Sequence, residues 1–221
     1  MNKEQTKQNG NISAAASVKP TKSSMNVRKM VFIALLGALS AVLMSLNFKL
    51  PFMPPFLKFD MAALPALFAG FYLGPVAGIF VIIIEIALEL LLTGTGTAFV
   101  GEFTYLMTSC AFILPASLIY KFNKTKKGAL ISLIVSTAIV SIVSVLLNLF
   151  ISLPMYVSLY HMSMDKIIDM CRSVMPLIKD EFTLLMFGVL PFNIIKYGAT
   201  SIVTFLIYKR LGKLLGKILR V

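Results

Sequence analysis

Three residues near the carboxyl end of the sequence stand where polar chemistry is expensive. Pro191, Asn193 and Lys196 lie together in PFNIIK, inside an otherwise apolar run from Glu181 to Tyr208. On a helix, Asn193 and Lys196 are three positions apart and share a face. Pro191 has no N–H to offer the Phe187 carbonyl, which frees an acceptor one turn earlier. Ammonium, amide and carbonyl together supply both donors and acceptors to a polar-edged organic ligand. A lysine at the centre of a membrane helix costs about 2.5 to 3.5 kcal/mol, so it needs a cavity or a partner. The competing reading is structural: Lys196 snorkels, or pairs with Glu85 or Glu89 to tie helices together.

Other polar residues in apolar runs are less decisive. Asn148 sits near the end of the run from Ala129 to Ile151, where an asparagine either binds a ligand or bonds between helices. Glu85 and Glu89 are four apart and stack on one helix face. Two carboxylates can serve acid–base chemistry, but no nucleophile, triad or metal set accompanies them, so an intramembrane enzyme is disfavoured. A water-facing or ligand-adjacent pair is the plainer reading. Cys110 and Cys171 form no CxxC and have no histidine partner, so inert thiols and no metal site are expected. The single histidine, His161, falls in an expected loop. There is no Walker motif, so any use of ATP falls to partners.

The elements that position these residues are membrane helices. The 221 residues are 58% hydrophobic and 14% charged, with a mean hydropathy of +0.88, whereas soluble domains carry about 25% charged residues. The expected fold is an all-α membrane protein with six transmembrane helices: Met30 to Asn47, about Met61 to Tyr72, Val76 to Leu92, Phe103 to Tyr120, Ala129 to Ile151, and Glu181 to Tyr208. Residues 1–27 are too polar to pack and read as a disordered cytoplasmic tail without signal-peptide order; 28–221 form the membrane domain. Gly74-Pro75 marks a tight turn. TGTGTAFVGE, 93 to 102, is a loop. A connection over 152–180 carries an amphipathic stretch around Met164 to Cys171.

Between the first two spans, Pro51 to Asp60 (PFMPPFLKFD) holds three prolines and cannot be helix interior. Its side chains are mostly apolar, which suits a lid folded over something greasy. Net charge is +12, and fifteen of the 21 basic residues fall in the amino tail, the 121–127 turn and the carboxyl tail. Alternation puts these on one face, the cytoplasmic one by the positive-inside rule, with both termini there. Topology accounts for the charge, and no nucleic-acid partner is implied. Ala34 and Ala38, with Gly37 and Ala41, and the series Gly70, Gly74 and Gly78, are small-residue faces that let helices approach closely. Ala34 and Ala38 equally suit a docking face for another membrane protein.

The sequence PFMPPFLKFDMAALPALFAGFYLGPVAG, the GTGTAFVGE loop, LPASLIYK at 114 to 121 and PFNIIK at 191 to 196 together resemble the riboflavin-specific S components of bacterial energy-coupling factor (ECF) transporters, over about Met30 to Lys209. That resemblance implies a multi-pass plasma-membrane subunit with the ECF S-component fold and no enzymatic activity. It would capture riboflavin, or flavin mononucleotide, as a transported substrate rather than a cofactor, with an S component for another small vitamin as the alternative. A transmembrane coupling protein and two ATPase subunits would be its partners. The same resemblance carries ligand binding to Asn148, Asn193 and Lys196, lid closure to Pro51–Asp60 with Lys58, Phe59 and Asp60, and docking to Ala34 and Ala38. Glu85 and Glu89 depart from its pattern, which is basic or amide-bearing there.

Overall fold

The computed structural model describes residues 27–54, 56–160 and 163–219. The expected amino tail and His161 lie outside the described residues. Helix α1 spans Val27–Ser45. A hairpin follows, with strands β1 (Phe48–Lys49) and β2 (Lys58–Phe59) pairing Phe48 with Phe59 and Lys49 with Lys58. Helices α2 (Ala63–Leu73) and α3 (Pro75–Thr93) meet at Gly74. Its φ of 105° suits a residue without Cβ, and Pro75 starts α3 in its first turn. Helix α4 is Val100–Phe122. Helix α5 (Lys126–Leu147) passes through a wide π-turn at Asn148–Ser152 into α6 (Leu153–Tyr160). After α7 (Met164–Arg172) and the single turn α8 (Glu181–Thr183), a second π stretch, Leu184–Val189, leads into α9 (Leu190–Leu219).

Among the described residues, five helical runs are long and apolar enough to cross a membrane: α1, α3, α4, the run from Lys126 to Leu159 and that from Glu181 to Tyr208. The segment expected as a second span differs. Helix α2 has 11 residues, about 16 Å of helix, which is roughly half of the hydrocarbon thickness. Eight of them, among them Pro65, Leu67, Phe68 and Phe71, are buried. Helix α2 is the core about which α1, α3, α4 and α9 pack.

Close packing on α2 depends on small side chains. A Cβ on Gly70 would stand 2.0 Å from the Ser117 hydroxyl, and one on Gly78 would stand 2.7 Å from Ile113. Gly37 of α1 likewise admits Ile84 of α3. Of the glycines spaced by four in the sequence, Gly70 and Gly78 therefore serve packing between helices, whereas a Cβ on Gly74 would meet nothing within 4 Å and that residue serves the turn.

The fifth run extends further than the sequence suggests, because helix continues through 153–160 where a connection was expected. Helix α7 is amphipathic as expected, seating Ile167, Ile168 and Cys171 against Leu153, Ile178, Leu184 and Leu185. Burial pushes the Cys171 thiol up to about 11, so it stays protonated and unreactive at neutral pH. Arg172 ties α7 to the segment that leads into α8, donating from Nε to the Ile178 carbonyl at 3.1 Å and from Nη2 to the Lys179 carbonyl at 2.9 Å. Asp180 caps α8, and the Thr183 N–H and hydroxyl hold its carboxyl below the usual carboxylate range.

Candidate functional site

The ends of α1, α3, α4 and α5 and the start of α9 surround a chamber of about 330 Å³ beneath the hairpin. That volume falls within the range of small-molecule sites. The lid contributes Phe56, Leu57, Lys58 and Asp60; α5 and its π-turn contribute Ser144, Asn148 and Ser152; α9 contributes Phe192, Asn193, Lys196 and Tyr197. Met44 of α1 and Asn47 just after it also line the chamber, as do Glu89 and Thr93 of α3, Gly94, Gly96 and Thr97 of the glycine-threonine loop, and Glu102 of α4.

Lys196 finds its partner in the lid. Its Nζ lies 2.8 Å from Asp60 Oδ2, with only 7% and 4% of the two side chains exposed. The other oxygen, Asp60 Oδ1, accepts the Ala62 N–H at 3.1 Å. The ammonium also stands 5.1 Å from the centre of the Tyr105 ring, a favourable cation–π distance. Neither Glu85 nor Glu89 makes the ion pair considered from the sequence. The pair joins the root of the lid to α9.

The two amides share a local device. Asn148 begins one π-turn, and Asn193 follows the other by four residues. Asn148 Nδ2 donates to the Ser144 carbonyl and Asn193 Nδ2 to the Val189 carbonyl, each at 2.8 Å. Each bond fixes an amide plane on its own helix and leaves the remaining polar positions for whatever enters. Wide turns of this kind recur at functional sites because they re-aim side chains and loosen the backbone ladder. The Phe187 carbonyl, expected to be the acceptor freed by Pro191, belongs to a residue outside the chamber lining whose side chain is 47% exposed.

The lid is held by packing as well as by charge. Met53, Phe59 and Phe192 form a buried cluster, and the Phe59 ring packs against that of Phe48 with centroids 5.1 Å apart and planes tilted by 43°. Phe59 therefore supports the wall from behind and does not line the chamber, whereas Lys58 and Asp60 do. Pro54 rests on Gly188, where an added Cβ would meet the proline ring at 2.9 Å. Ala34 and Ala38 lie far along α1 from the chamber and are exposed, flanked by exposed Val31, Leu35, Leu39 and Val42.

The stacked carboxylates take separate parts. Glu85 is fully buried outside the lining, receiving the Tyr105 hydroxyl at 2.6 Å on Oε1 and meeting the Ser40 hydroxyl at 2.8 Å on Oε2. Ser40 also bonds the Ala62 carbonyl. Glu85 thus joins α1, α4 and the start of α2. Glu89, one turn further out, reaches the chamber. Glu85→Gln should keep thermal stability in detergent close to that of the parent, since an amide can accept from Tyr105 and donate to Ser40. Glu85→Leu should lower stability by about 1 to 3 kcal/mol for each buried group left unpaired, read as a drop in Tm.

Tyr105 and its neighbours were not singled out from the sequence. Gly101, Thr104, Tyr105 and Thr108 of α4 all line the chamber. Their spacing of three and four is a helical face, and that polar stripe in an apolar run was the available signal.

Residues 28–208 match the family model for the substrate-specific component of ECF transporters. The chain is 34% identical to the riboflavin transporter RibU of Staphylococcus aureus (strain TCH60), over 86% of this chain and 94% of that protein. It is 33% identical to the riboflavin transporter FmnP of Bacillus subtilis (strain 168), over 85% and 93%. A solved S component of a bacterial ECF transporter superposes with a TM-score of 0.68 at 34% identity, covering 85% of this chain and 97% of that one. With its apolar helices and its lidded chamber, the chain belongs to the family of ECF transporter substrate-specific components, integral membrane proteins of transport and not enzymes.

Proposed function

We propose that this subunit captures riboflavin from outside the cell and hands it to an ATP-driven coupling module for import. The chamber under the Asp60–Lys196 latch, with Asn148 and Asn193 on its wall, is the observation that carries this reading. Riboflavin has an apolar dimethylbenzene edge, a pyrimidine edge of alternating donors and acceptors, and a hydroxylated chain. Met44, Phe56, Leu57 and Phe192 suit the first, the two amides and Lys196 the second, and the threonines of α4 and its preceding loop the third. The names of the relatives from S. aureus and B. subtilis point to the same vitamin.

In this reading residues 28–221 form the substrate-binding unit, and α2 with the lid completes a sixth crossing. Both termini face the cytoplasm, where the basic turn at 121–127 also lies. The chamber then opens outward. Ala34 and Ala38 dock on a transmembrane coupling protein that carries two ATPase subunits.

Purification in detergent tests the central point. The sample should be yellow with a flavin absorbance band, and after the vitamin is stripped, added riboflavin should lose its fluorescence on binding. A colourless sample that leaves riboflavin fluorescence unquenched would sink the flavin reading and point to another small vitamin.

A further inference from the structure

Glu89 is a chamber residue for which ring recognition has no use. Its Oε2 is buried and has no hydrogen-bond partner among the described residues, yet the residue lines the chamber. A buried carboxylate oxygen left unmatched is costly unless a donor arrives with the ligand. Around it lie the hydroxyls of Thr93 and Thr97 and a second acid, Glu102, which accepts the Thr97 hydroxyl at 2.7 Å.

The charges that face Glu89 set the sign of this wall. It lies within electrostatic reach of Glu102, Lys58, Asp60 and Lys196. Lys196 and Asp60 neutralise each other at 2.8 Å. Among the described residues that line the chamber, Lys58 is the one remaining cation, and it sits exposed on β2. With all of these groups ionised, the lining carries one negative charge in excess, concentrated on the side of Glu89 and Glu102.

We propose that Glu89, supported by Glu102, makes the chamber selective for a flavin whose sugar-alcohol chain is unphosphorylated. This rests on the flavin reading above and narrows it. Ribityl hydroxyls donate to a carboxylate oxygen, Glu89 Oε2, that otherwise lacks a partner among the described residues, as they could not to a hydrocarbon wall. A terminal phosphate adds about 1.5 to 2 negative charges at neutral pH and only acceptor oxygens, which meet two carboxylates in a site of low dielectric. Discrimination by a misplaced charge is the efficient route to specificity between ligands that share the same ring. The acids thus oppose the attraction that Lys196 would exert on phosphate.

Three ligands separate the possibilities: riboflavin, flavin mononucleotide, and lumiflavin, which has the ring without the chain. Titrations of fluorescence quenching on the full-length protein in detergent should show riboflavin bound at least about tenfold more tightly than the mononucleotide. Glu89→Gln should weaken riboflavin several-fold, leave lumiflavin unchanged and narrow the gap; Glu89→Gln with Glu102→Gln should close most of it. Equal affinity of the unaltered protein for riboflavin and the mononucleotide would overturn this proposal alone. An unchanged gap in the double variant would do the same. Failure of all three flavins to bind would overturn the flavin reading and this selectivity with it.

Discussion

Lys196→Met should abolish most flavin binding, and the loss should survive repair of the fold. Removing the ammonium leaves Asp60 buried without its countercharge, a change that costs about 3 to 5 kcal/mol in comparable sites. The single variant should therefore lose thermal stability as well as affinity. Asp60→Asn combined with Lys196→Met removes both charges from the lid root, so stability should return towards that of the parent. If the ammonium also meets the ligand, affinity stays down by about 1 to 3 kcal/mol, roughly one to two powers of ten. Calorimetric titration with riboflavin, read beside the Tm of each variant, separates the two roles. Recovery of full affinity in the double variant would reduce Lys196 to a latch.

Ala34→Phe combined with Ala38→Phe should leave vitamin binding intact and abolish capture of the coupling module. Both positions are exposed on α1, so larger apolar side chains there displace lipid and not protein core. The buried side of the same helix, Ile33, Gly37, Ser40 and Ala41, is untouched. Close helix contact in a membrane relies on small side chains because the bilayer gives apolar surfaces no drive to associate. Two phenyl groups would hold an approaching helix several ångströms away. Co-purification with a tagged coupling subunit should fall to background while riboflavin quenching is unchanged. Normal co-purification would place the docking face elsewhere.

The residues legible in the sequence are those whose chemistry conflicts with their surroundings. Lys196, Asn193 and Asn148 stood out because ammonium and amide groups are costly in an apolar run, and all three line the chamber. The partner of Lys196 was not legible: Asp60 is 136 positions away, and no local pattern encodes a contact made by folding a lid onto the last helix. The extent of helix α2 was legible, since about Met61 to Tyr72 was expected and Ala63–Leu73 is found, but its place in the middle of the bundle was not, because an apolar composition does not distinguish lipid-facing from protein-facing surface. The π-turns were equally hidden. Leu153 and Pro154 end a helix on paper, but a proline is tolerated in the first turn of a new segment, and α6 begins there. Phe59, expected in the chamber, turns to the opposite face of its strand from Lys58 and Asp60, as alternation along a strand requires.

The hairpin of the lid has only two rungs, while Asp60 at its root leads directly into α2, a helix buried among its neighbours. The flap can therefore lift between Leu50 and Phe59 while its hinge stays anchored. Because lifting it breaks the contacts of Met53 and Phe59 with Phe192, arrival of the vitamin is expected to be gated, with the opening of a short flap and not collision setting the pace. Stopped-flow mixing should show an association rate that levels off as vitamin concentration rises. Departure would wait on the same rare opening, so a subunit of this build holds a scarce nutrient long after the medium around it has been depleted.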